Sequence, residues 1–232
     1  TSTPTVELQA SPTVTITLTT TPLPQPPAAS PTPNQDDPQQ QLGHPDWVDS
    51  FSNGQNWGLP AAGYSDDYTS VNVENGALTY RSKQPAGWLG WRLGGHEIDQ
   101  AYVEAVISTL NCAGLDTYGL ILKAPDYSSG QGYYLTLTCD GQYSLSATTS
   151  TGSSEVIPLT ASSWIKSGPN QTNRIGIWLE GGQIKLYANG QLLQVVSNSD
   201  ITGSGHIGFF IIGNQAADFG YSVTDISTWT LP

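Results

Sequence analysis

Aromatic rings that stack on the apolar faces of sugars, beside carboxylates that take up their hydroxyls, are the chemistry this chain is best stocked for. It holds 7 Trp and 11 Tyr among 232 residues. Several fall in Gly- and Asp-rich stretches between apolar runs: Trp57, Tyr64, Tyr68, Trp88, Trp91 and Tyr127, with Asp66, Asp67 and Asp126 as polar neighbours. These nine are the expected contacts for a glycan or cell-surface polysaccharide. Trp178 and Trp229 lie inside regular strand patterns and read as core fillers, a common use of large rings in β-sandwiches.

Hydrolysis of a glycan needs two carboxyl groups about 5–9.5 Å apart, one of them able to stay protonated. On a strand such a pair falls at i and i+2, where both side chains share a face. Glu97 and Asp99 have that spacing but stand at a strand start beside His96, where exposure is the default. Glu104 stands alone in mid-strand and is the one weak catalytic candidate, because a charge there must find solvent or a polar partner. His44, His96 and His206 make no metal-binding spacing, and no G-x-S-x-G elbow is present. The reading is a non-catalytic carbohydrate-binding or recognition module. A glycoside hydrolase-like enzyme and a protein-interaction spacer are the alternatives. No cofactor is expected; calcium is the one ion that Asp66, Asp67, Asp126 and Asp140 would suit, without a hand-type loop.

The elements that must position these residues are strands. Asn173–Gly213 reads as strand, tight turn, strand, tight turn, strand, polar loop, strand, with Gly181-Gly182 and Asn189-Gly190 at the turns. Arg174, Glu180 and Lys185 in this run are read as serving solubility and register. Asn75-Gly76 marks another hairpin. Over Ile98–Leu110, Val103, Ala105 and Ile107 share one face while Tyr102, Glu104, Val106 and Ser108 share the other. Trp88 and Trp91, three apart, fall on opposite faces unless Gly90 inserts a bulge. Further strands are expected at 118–123, 133–139, 143–147 and 155–159, and a closing strand at 217–229. No segment keeps a helical period. The fold class is all-β, a two-sheet antiparallel sandwich. Cys112 and Cys139 sit at strand ends and are expected to form a disulfide, which implies an oxidising compartment.

Lys plus Arg number 7 against 19 Asp plus Glu, a net charge of -12. That surface repels nucleic acid and anionic membranes, and no run is long and apolar enough to insert in a bilayer. Residues 1–46 carry one Gly, no aromatic residue and no Lys or Arg, and their Thr/Pro-rich composition predicts a linker or stalk. Within it Val14–Leu18 alternates like a short strand. The sandwich domain is expected over 47–232. A start at Thr1 and the absence of Met read as a mature or excised product, secreted or tethered at the cell surface.

The order of features resembles a known group. WVDSFSNGQNWG, the YTSVNVENGALTY hairpin, NRIGIWLEGGQIKLYANGQLLQVV, SGHIGFF and the closing ADFGYSVTDISTW together resemble concanavalin A-like (laminin G-like) jelly-roll domains of bacterial extracytoplasmic proteins. The same broad group includes 3-keto-disaccharide hydrolase-like domains. The resemblance covers about Trp47–Leu231. It implies two curved antiparallel sheets and leaves function spread over sugar binding, protein binding, glycan hydrolysis and spacing.

Overall fold

The computed structural model describes residues 36–84 and 87–232; the strand expected at Val14–Leu18 lies outside them. A one-turn helix α1 (Pro38–Leu42) opens the described part. The strands follow as β1 (Trp47–Asp49), β2 (Tyr64–Ser65), β3 (Thr69–Glu74), β4 (Ala77–Ser82), β5 (Leu89–Ile98), β6 (Ala101–Thr109), β7 (Thr117–Ala124) and β8 (Gly132–Thr138). After them come β9 (Gln142–Thr149), β10 (Gly152–Ala161), β11 (Thr172–Glu180), β12 (Gln183–Ala188), β13 (Gln191–Ser197), β14 (Gly205–Ile212) and β15 (Gly220–Thr230).

Among the described residues, nine strands form one antiparallel sheet in the order β13-β12-β11-β6-β15-β4-β3-β2, with β1 also paired to β15. Six form the other, in the order β10-β9-β8-β7-β14-β5. The core lies between them and follows the two-residue alternation of each strand. Val103, Ala105 and Ile107 share one buried cluster with Tyr221 of the same sheet and with Leu120, Leu122, Leu135 and Phe209 of the other. Tyr102 and Glu104 point to the opposite side, as their spacing predicts.

Turn chemistry sets the registers. Asn75-Gly76, Gly181-Gly182 and Asn189-Gly190 all have positive φ at both positions, the twist that two-residue hairpins need. Cys112 and Cys139 form a disulfide with Cα atoms 5.5 Å apart. Beside it the Asp116 carboxylate, fully buried, accepts four backbone N–H groups, from Ala113, Asn214, Gln215 and Ala216. That carboxylate fastens the β14–β15 connection to the one before β7.

The packed structure reaches further towards the N-terminus than the composition suggests. Asp37 caps α1, and Leu42 packs on Tyr102, Tyr187 and Trp229 on the outer face of the larger sheet. The Trp229 indole N–H donates to the Gly43 carbonyl at 3.0 Å.

Candidate functional site

Most of the aromatic residues picked out from the sequence gather along one side of the sandwich. β2 and β3 end the larger sheet on that side and β5 ends the smaller one. The two edges approach closely: a Cβ on Gly90 of β5 would fall within 3 Å of Thr69 on β3, so glycine is required there. Two clefts flank this seam. One, of about 340 Å³, is lined by Tyr64, Asp66, Thr69, Trp88, Trp91 and Arg92; the other, of about 420 Å³, by Asn56, Trp91, Arg92, Gly95 and Tyr127. Trp91 and Arg92 belong to both.

Trp88 is 51 % exposed and stacks on Tyr68 with ring centroids 4.2 Å apart. Tyr127 is 56 % exposed and lies 4.3 Å from the His206 ring. Trp91 is half-buried against Leu93, Tyr134 and Phe210 on the outer face of the smaller sheet. The expectation that Trp88 and Trp91 part to opposite faces does not hold. Gly90 keeps regular register with Ile211, and Trp88 lies ahead of β5, so strand alternation does not govern it.

Arg92 is the cation of this seam. Its guanidinium lies 4.9 Å from the centre of the Tyr64 ring and donates to the Trp57 carbonyl at 3.3 Å. Its Nε is buried with no hydrogen-bond partner, as is the Tyr80 hydroxyl. A buried donor without an acceptor is costly, and the same burial keeps this Nε out of a ligand's reach; what Arg92 offers the two clefts is the rest of its guanidinium.

The acids serve their own loops first. Asp66 accepts from the Tyr64 hydroxyl and from the Tyr68 and Thr69 amides. Partial burial works to raise its pKa, but these bonds outweigh it and the carboxyl is held below the usual range. Asp126 takes the Ser128 amide and hydroxyl and the Ser129 amide, which pull its pKa down to about 2. The two carboxylates therefore hold Tyr64, Tyr68 and the Tyr127 loop in shape. Asp67 follows Asp66 on the exposed loop, where its carbonyl accepts from Gln84. Asp140 is engaged by Thr138 and Gln142 within its own turn. Among the described residues no three His, Cys, Asp or Glu side chains come together to hold a metal ion.

Trp57 is corrected from ligand contact to core. It is 1 % exposed, its ring packs on Phe51 and Phe209, and its indole N–H donates to Asp49 at 3.0 Å. Asp49 also accepts from the Phe51 amide and Asn56, so one buried carboxylate folds the whole FSNGQNWG turn inward. Its i, i+2 bond to Phe51 is an Asx-type signal that the sequence carries.

Glu104 lies away from this seam, in mid-sheet on the outer face of the larger sheet. Gly176 sits opposite it on β11, and a Cβ there would strike the Tyr102 ring. Glu104 is buried and accepts from the Tyr102 hydroxyl at 2.5 Å, from Gln39 at 2.6 Å and from Arg174 at 3.0 Å. Arg174 also pairs with Asp37, so the reading of Arg174 as a solubility residue is overturned. Burial raises the Glu104 pKa although Tyr102 and Arg174 pull the other way. Glu104 lines neither of the two clefts that hold Trp88 and Trp91.

No family model matches the sequence, and no curated protein matches it by sequence. Solved structures match the fold. The carbohydrate-binding module CBM66 of Bacillus subtilis aligns at 14 % identity and TM-score 0.53, over 66 % of this chain and 86 % of that one. A galectin-like protein of unknown function from Bacillus subtilis aligns at 13 % and 0.55, over 82 % and 97 %. The catalytic domain of an endo-1,3-beta-glucanase (laminarinase) from Thermotoga petrophila RKU-1 aligns at 12 % and 0.51, over 80 % and 96 %. This chain shares with these structures a jelly-roll β-sandwich fold of two antiparallel sheets.

Proposed function

We propose that the domain is a non-catalytic glycan-binding module of an extracytoplasmic protein, and that the glycan lies along the seam between β3 and β5. One observation carries the reading. Trp88, Tyr64, Trp91 and Tyr127 line two clefts that share Trp91 and Arg92, and Tyr68 stacks on Trp88. The rings would stack on successive sugar faces, as amphipathic aromatics do at recognition surfaces. Arg92 would donate to a ring or hydroxyl oxygen. Asp66 and Asp126, occupied with their loops, position the rings rather than grip the ligand.

The fold neighbours support a glycan as the ligand class, since their names span carbohydrate binding and glucan cleavage. Binding is favoured over cleavage by the state of Glu104. A raised proton affinity suits a general acid, but this carboxylate is buried beneath Gln39 and tied to Arg174. The disulfide supports an oxidising compartment.

The test is titration of intrinsic Trp fluorescence with a panel of soluble polysaccharides. A saturable shift is expected, weakened in Trp88→Ala and Tyr127→Ala. A flat response to the whole panel at millimolar sugar, or an unchanged one in both variants, would overturn the proposal.

A further inference from the structure

A second site is built at one end of the sandwich, around a lysine that the backbone goes out of its way to place. Lys123, near the end of β7, has φ 56, a left-handed conformation that L residues other than Asn and Asp rarely adopt. The cause is a bulge. His206 pairs with Ala124 and Gly208 with Ile121, so Leu122 and Lys123 together stand opposite Ile207 alone. Such bulges re-aim a side chain, and they recur beside functional sites. Neighbours on both sides make room for it with glycine. A Cβ on Gly205 would lie 2.5 Å from the Lys123 carbonyl carbon, and one on Gly132 would lie 2.9 Å from the Leu122 oxygen.

The bulge delivers the ammonium to the wall of a cavity of about 200 Å³. Lys123 is only 9 % exposed, and its Nζ donates to Asp99 Oδ1 at 3.1 Å. An ammonium has three donors, so the one bond to Asp99 leaves capacity for a ligand. The Asp99 side chain is largely open to solvent. Ser199 and Thr202 bring hydroxyls to the rim, and Ile201 and Ile184 supply apolar surface. The walls are fastened. Tyr133 Oη donates to Asn198 at 2.6 Å and accepts the Ile201 amide, and the Gln100 side chain accepts the Gly181 amide at 2.8 Å.

We propose that this cavity binds one neutral sugar ring, or a comparable vicinal diol, against the Lys123–Asp99 ion pair, with one hydroxyl on the ammonium and its neighbour on the carboxylate. A vicinal diol presents a donor and an acceptor on each of two neighbouring oxygens, which matches a cation and an anion side by side. Glu180 also lines the cavity, so its walls carry one cation against two carboxylates and an anion gains nothing there. The volume falls below the roughly 300–1,000 Å³ of pockets that hold larger ligands. A volume of that size suits one ring. The lining residues are none of those that form the aromatic seam.

Residue-resolved NMR titration of the full chain with glucose, galactose, mannose and fructose, each to tens of millimolar, tests the site, with sodium acetate as the anionic control. Saturable amide shifts are expected at Asp99, Ser199, Thr202 and Gly203 with at least one sugar and none with acetate. Affinity should fall about tenfold in Asp99→Asn, the loss expected when a charge-assisted hydrogen bond is weakened. Lys123→Met should abolish the shifts; if it fails to fold, Asp99→Asn at the exposed partner still decides. The absence of saturable shifts at these amides, or shifts equally strong in Asp99→Asn, would overturn the site and leave Lys123–Asp99 a structural ion pair. Shifts confined to Trp88 and Tyr127 would overturn it too while sustaining the aromatic surface.

Discussion

Glu104 and Arg174 meet 3.0 Å apart on the outer face of the larger sheet, and the same guanidinium also holds Asp37 at the cap of α1. Two carboxylates thus share one cation in a largely dry site. Burial raises Glu104, while for Arg174 the bonds to Asp37 and Glu104 outweigh burial and raise it as well. The pair joins β6, β11 and the segment before β1.

Arg174→Met should cost about 3–5 kcal/mol, because it leaves two carboxylates facing each other without their cation. Combining it with Glu104→Gln should recover part of the loss. Urea denaturation of the three variants, read as a double-mutant cycle, measures the coupling.

Glu104 also fixes the sign of a pH effect. Its folded pKa lies above the usual carboxylate value. Its protonated form is therefore favoured by folding, and its contribution is fully present below the unfolded pKa and fades as pH rises through the folded one. The stability difference between the parent chain and Glu104→Gln should shift against the parent over that rise. A difference independent of pH would contradict the assignment.

Asp126 has the opposite sign. With a folded pKa of about 2 against the ordinary aspartate value of 3.8, it stabilises its loop above pH 3.8 and loses that contribution as pH falls towards 2. Asp126→Ala should remove this acid dependence, loosen the Tyr127 loop and weaken glycan binding. NMR titration of the Asp126 carboxyl carbon and the Tyr127 amide checks both.

Trp57 and Trp88 should separate cleanly. Trp57→Ala empties a core site and should cost about 3–5 kcal/mol. Trp88→Ala, at an exposed position, should stay within about 0.5 kcal/mol while glycan binding falls. Denaturation midpoints and the fluorescence titration together test the division.

Loss of the 112–139 bridge, which closes a sequence separation of 27, should cost about 3–4 kcal/mol by loop-closure entropy. Denaturation of the Cys112→Ala/Cys139→Ala variant measures it.

By itself the sequence determined the sheets and their faces. Period-two alternation is a local property, and it named Val103, Ala105 and Ile107 as inward and Glu104 as outward. Asn75-Gly76 and Asn189-Gly190 declared their turns because few residues reach positive φ cheaply. The aromatic stretches around Tyr64, Trp88 and Tyr127 were visible as candidates, although they lie far apart along the chain. Only the tertiary structure decided what each side chain meets. It put Trp57 in the core through a bond to Asp49, and it brought Trp88 and Trp91 to one seam because the edges of two sheets converge there. It turned Arg174 from a surface charge into the partner of Glu104 and Asp37. It aimed Lys123 at Asp99 through a bulge that no local pattern announces. The reason is common to all four: alternation and turn type are set by neighbours in sequence, whereas partners are set by strand order and register, which follow from how two whole sheets bury their faces against each other.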